Sequence, residues 1–134
     1  IWKALQGRTR GTQVSRADLL KALNTITELY GRGSVWGFEW LTFEGSDDSK
    51  LQQAYAILSY IGSNMESKAR AQILALLLTD THYGNHFAPV WIDWYDSVGG
   101  HAKTITGWIT IILNEYEAGN YKTAKNLADY LNNK

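Results

Sequence analysis

Two histidines offer the first chemistry to weigh. His82 and His86 stand four residues apart, the spacing that places two imidazoles on one helix face, and Asp80 and Asp93 are near enough in sequence to complete a metal site. Gly84 and Asn85 fall between the histidines and argue for a loop, and Tyr83 follows the first of them where a metalloprotease helix carries its glutamate base. The expectation is solvent-facing or capping imidazoles in a connector, with no metal bound. A second grouping sets carboxylates beside indoles: Glu39 lies between Trp36 and Trp40, and Asp93 and Asp96 flank Trp94. Sugar clefts combine aromatic platforms with acids, and glycosidases need two carboxyl groups about 5 to 10 Å apart. The competing reading is that the rings fill a small core while the acids face water.

Other catalytic signatures are missing from the sequence. There is no Gly-x-Ser-x-Gly elbow, no Walker-type Gly-Lys-Ser/Thr and no Asn-x-Ser/Thr acceptor. Gly31-Arg32-Gly33 with Gly37 lacks the spacing of a dinucleotide loop and follows a helical pattern, so it reads as a helix stop. The absence of cysteine removes disulfides, thiol nucleophiles, thiolate zinc sites and iron–sulfur clusters together. No catalytic residue and no cofactor are expected.

Charge placement is the stronger signal. Thirteen basic and thirteen acidic residues cancel over the 134-residue chain, so no global field steers it toward nucleic acid or lipid. Neutrality hides polarity. Residues 1–33 carry Lys3, Arg8, Arg10, Arg16, Lys21 and Arg32 against Asp18 and Glu28, a local +4, whereas residues 34–100 carry a local −5. Lys21 has Asp18 three residues before it, which cancels part of its field. Lys3, Arg8 and Arg10 have no such neighbour, and Gly7, Thr9, Gly11 and Thr12 let the backbone lie close to a phosphate surface.

Positioning these residues falls to helices. At 45% hydrophobic the chain can bury one core, and the pattern predicts an all-α bundle of four to five helices. A basic arm, 1–14, precedes one helical domain, 15–134. Ser15 with Asp18 resembles a capping box, and Leu19, Leu20, Leu23, Ile26 and Tyr30 recur at helical spacing up to Gly31. A second helix begins near Ser46-Asp47-Asp48 and carries Leu51, Ala54, Tyr55, Leu58 and Ile61 toward Gly62. Ser63 to Glu66 forms a box opening a third, with Ala69, Ile73, Leu74, Leu76, Leu77 and Leu78 making it the deepest. The span from His101 to Ala118 and the stripe from Tyr121 to Leu131 predict an antiparallel hairpin broken at Gly119-Asn120. Between them, Val35 to Phe43 reads as an extended or turn-rich aromatic strap, and Pro89 opens a short helix through Trp91 and Trp94 that ends at Gly99-Gly100. The longest apolar run, Ile73 to Leu78, is far short of the roughly 20 residues that span a bilayer. The sequence opens on Ile1 and Trp2 without a basic-then-apolar leader pattern, so a processed or upstream start is expected.

The cysteine-free chain, its Gly7-Arg8-Thr9-Arg10 arm, the helix that follows and the aromatic-rich bundle resemble the major coat proteins of rod-shaped and filamentous archaeal viruses. That resemblance implies a virion subunit that pairs with copies of itself or a homologue and wraps double-stranded DNA between N-terminal arms. By position, Lys3, Arg8, Arg10, Arg16, Lys21 and Arg32 would face phosphate. Trp2, Trp36, Trp40, Trp91 and Trp94 are the candidates for subunit contacts, as tryptophan is favoured at the centres of interfaces. The alternative is a cytoplasmic helical interaction or regulatory module that offers the hairpin from His101 to Leu131 to a partner. An enzyme built on His82, His86 and the nearby acids is the third reading.

Overall fold

The computed structural model describes residues 15–84, 89–95 and 103–133; the 1–14 arm lies outside them. Ser15 starts the first helix, α1 (Arg16–Tyr30), because its hydroxyl accepts the otherwise unpaired Asp18 N–H at 3.1 Å. Leu19, Ala22, Leu23 and Ile26 form its buried face. It stops at Gly31, where a Cβ would sit 2.5 Å from the Thr27 carbonyl oxygen and 3.0 Å from the Thr42 hydroxyl. Only glycine fits that approach.

The following strap is turn-rich, as its aromatic spacing allowed, with a single 3-10 turn at Glu39–Leu41. Phe38, Leu41 and Phe43 are buried. Backbone bonds tie it to α1: Phe38 N–H donates to the Tyr30 carbonyl at 3.0 Å, and Phe43 N–H to the Thr27 hydroxyl at 3.0 Å.

The second helix, α2 (Asp47–Leu58), is capped by Ser46, with Asp47 and Asp48 at its positive end. It is shorter than its sequence pattern. Ser59 ends it, Ile61 is 96% exposed, and Ala54 is its one buried residue. Tyr60 turns instead toward the next helix, its hydroxyl accepting the Asn64 N–H at 2.9 Å.

The third helix, α3 (Met65–Tyr83), packs against each of the other four and buries Ala69, Ile73, Leu74, Leu76, Leu77, Leu78 and Asp80. It is the axle of the bundle. Its cap is Asn64, which accepts the Ser67 N–H at 2.9 Å, and not the expected pair of Ser63 and Glu66. Glu66 is drawn sideways, accepting from the Tyr116 hydroxyl at 2.8 Å and from Arg70 at 3.1 Å.

Beyond α3 the structure departs from the sequence pattern. Pro89 does not open a helix; β1 (Pro89–Val90) pairs antiparallel with β2 (Lys103–Thr104), Pro89 opposite Thr104 and Val90 opposite Lys103. Buried Trp108 donates its indole N–H to the Val90 carbonyl at 2.9 Å, and Ile92 is buried beside it, so tertiary contacts override the proline signal. Residues 93–95 form a turn, and Val98, Gly99 and Gly100 lie outside the described residues.

Thr104 caps α4 (Ile105–Glu117), which begins four residues later than the pattern from His101 indicated. Trp108, Ile109, Ile112, Leu113 and Tyr116 are buried along it at the expected spacing. Gly119, with φ of +86°, turns the chain into α5 (Tyr121–Asn132), whose Ala124, Leu127, Ala128 and Leu131 close the core. One apolar cluster joins all five helices and the strap. Among the described residues, no helix is long and apolar enough to cross a membrane.

Candidate functional site

The basic residues divide into three groups. Lys3, Arg8 and Arg10, with Trp2, lie outside the described residues. Arg16 and Arg32 are occupied within the chain. Arg16 reaches across to α2, its Nη2 at 2.7 Å from Asp48 Oδ1, with both side chains mostly exposed. Arg32 grips two carboxylates at once, Nε at 2.7 Å from Glu39 Oε2 and Nη2 at 2.9 Å from Glu44 Oε1. The bonds to Glu39, then Glu44, hold its guanidinium even more firmly protonated than usual. Lys21 is exposed one turn beyond Asp18, at the rim of a pocket.

Tryptophans divide as well. Trp36 and Trp40 are half-buried and pack inward through Phe38: Trp36 stacks on it at 5.8 Å, and Trp40 lies 6.2 Å from it and 5.3 Å from Tyr116. They lock the strap to α3 and α4. Trp91 and Trp94 face outward, each 53% exposed. Trp94 stands edge-on to Tyr130 at 6.3 Å, and the Tyr130 hydroxyl donates to the Trp91 carbonyl at 3.3 Å. The result is an aromatic platform of exposed Trp91 and Trp94 beside the half-buried Tyr130 of α5.

The carboxylate and imidazole groupings fall only partly among the described residues. Glu39 is committed to Arg32, and Asp93 is exposed. His82 sits in the last turn of α3, 4.6 Å edge-on to Tyr83; His86 and Asp96 lie outside the described residues. Among the described residues, no cluster of three or more His, Asp or Glu could hold a metal ion.

Two polar features were not legible as sites. Arg70 Nε donates to the Tyr116 hydroxyl at 2.6 Å, and its guanidinium carbon lies 5.3 Å from the Trp40 ring centre. Glu66 and Arg70 are an i,i+4 pair on α3, but Tyr116 joins them only because α3 and α4 pack, so nothing local announced the triangle. Burial above all, with Glu66 adding to it, raises the Tyr116 hydroxyl's pKa against the opposing pull of Arg70. The second feature is a pocket of about 570 Å³ between α1, the end of α3 and the start of α4. Asp80, the one buried charged residue among those described, lies on it with Tyr30, Thr25, Thr106, His82 and Lys21. Burial raises the Tyr30 hydroxyl's pKa, and the Asp80 charge raises it further.

No family model, no curated protein and no solved structure matches the chain.

Proposed function

We propose that this chain is a structural assembly protein of the coat or nucleocapsid kind. Its helical body makes subunit contacts through the Trp91–Trp94 platform, and its N-terminal arm lies on nucleic-acid phosphates. The observation that carries this reading is the outward pair of half-exposed tryptophans braced by Tyr130, in a chain whose other described tryptophans pack inward. Large exposed rings held rigid are expensive to leave in water and cheap to bury against a partner. The phosphate role rests on Lys3, Arg8 and Arg10 of the arm, which have no acidic residue near them in sequence. Arg16 and Arg32 already neutralise carboxylates, so their contribution is the smaller share.

Repetition compensates for so few cations. Each neighbour in an array holds the next against the duplex, which multiplies weak contacts into a stable particle. The test is light scattering of the chain mixed with duplex DNA at low and high salt. Expected are large particles at low salt that shrink as salt rises, lost in the Arg8→Ala/Arg10→Ala variant and in the Trp91→Ala/Trp94→Ala variant. A monomer indifferent to DNA at every salt concentration overturns the proposal. Self-assembly that needs Trp91 and Trp94 but ignores DNA favours the second reading, an interaction module without nucleic acid.

A further inference from the structure

The pocket between α1, α3 and α4 shares no lining residue with the Trp91–Trp94 platform. Its floor holds the Asp80 carboxylate, 7% exposed, on the last two turns of the central helix. The hydroxyl-bearing residues Thr25, Tyr30, Thr81 and Thr106 line the pocket with it. The Thr25 hydroxyl spends its proton on the Lys21 carbonyl at 3.0 Å, so its oxygen faces further partners as an acceptor. Ala22, Leu29 and Ile109 supply the apolar part of the lining, and Leu29 is 53% exposed.

This division selects a ligand chemistry. An ammonium or guanidinium group needs several acceptors and a negative partner to leave water without a large penalty, and an aliphatic stem needs an apolar wall. Asp18 at the rim adds a second negative charge, partly offset by Lys21. An anion would meet the buried Asp80 charge, whose field already acts on the Tyr30 hydroxyl in the same pocket. The volume of about 570 Å³ falls inside the range of roughly 300 to 1,000 Å³ usual for small-molecule sites.

We infer that this pocket binds a small aliphatic organic cation, an alkylamine or alkylguanidine, with the charged head at Asp80 and the stem along Ala22, Leu29 and Ile109. The site shares no lining residue with the Trp91–Trp94 platform, and its test does not use the assembly surfaces.

Titrating the full chain with agmatine and with butylamine by calorimetry, with butyrate as the anionic counterpart, reads the site directly. Saturable binding of a cation is expected, with butyrate inert. Asp80→Asn should weaken it at least about 10-fold, as loss of a buried charged partner does. Because Asp80→Asn alters the core, Thr25→Trp is the second variant: it fills the pocket from an intermediate position on α1, and circular dichroism checks that it folds. Loss of binding in folded Thr25→Trp supports the assignment. Absence of saturable binding by both cations, equal binding of butyrate, or undiminished affinity in folded Thr25→Trp overturns it.

Discussion

Arg70 and Tyr116, 46 residues apart, meet with the guanidinium Nε donating to the phenol oxygen at 2.6 Å. The phenol passes its own proton to Glu66 at 2.8 Å, and Arg70 closes the triangle on Glu66 at 3.1 Å. Trp40 lies against both the guanidinium and the phenol ring, so this triangle also seats the aromatic strap.

Removing one hydroxyl should therefore loosen more than one contact. Tyr116→Phe is expected to cost about 1.5–3 kcal/mol, the range for losing hydrogen bonds to charged groups. Urea unfolding of the variant measures it. A change within error would mean that the triangle contributes nothing.

Alkaline pH should unfold the protein through its tyrosines. Tyr116 and Tyr30 both titrate above the ordinary 10.0 in the folded state, chiefly through burial. Below that value both states hold the proton and stability from these groups is intact. Above it the unfolded chain loses protons that the folded chain keeps, so stability falls as pH rises toward the folded values. Phenolate absorbance recorded beside far-ultraviolet circular dichroism should show the last tyrosines ionising together with unfolding.

Gly31→Ala should be costly despite its small size. The added methyl meets the Thr27 backbone oxygen at 2.5 Å, a contact that no side-chain rotation relieves. A loss of about 1–3 kcal/mol follows, as for other overpacked sites. The measurement is the urea midpoint, with Gly33→Ala, where nothing lies within 4 Å, as the control expected to shift less.

The two kinds of tryptophan should separate in one pair of experiments. Trp108→Ala removes a fully buried ring and its bond to the Val90 carbonyl, for about 3–5 kcal/mol. Trp94→Ala should cost under about 1 kcal/mol of folding stability yet reduce self-assembly. Sedimentation velocity and thermal unfolding of the two variants report both quantities.

Helix positions were legible where one face repeats and a cap closes the end. Ser15 to Tyr30, and Ile105 to Tyr116, carry their burial in the spacing of Leu, Ile and Trp alone. The errors fall where distant side chains compete for local signals. Glu66 deserts its capping box for Arg70 and Tyr116. Pro89 takes an edge position because Trp108 needs the neighbouring carbonyl. Ile61 matched the helical stripe but lies past the end of α2. Among the site residues, spacing could not separate Trp36 and Trp40 from Trp91 and Trp94, since the difference is which rings face another helix. The pocket around Asp80 was half legible: spacing had grouped Asp80 with His82, but for a metal, and the walls from α1 and α4 are brought to them only by packing.

The connector bearing Trp91 and Trp94 is pinned from three directions: Val90 to the Trp108 indole, the Trp91 carbonyl to Tyr130, and the Tyr95 hydroxyl to Glu115 at 3.1 Å. Such bracing means that most of the freezing has happened before any encounter. A partner landing on these rings gives up little disorder in residues 90–95, so even a modest contact there can persist.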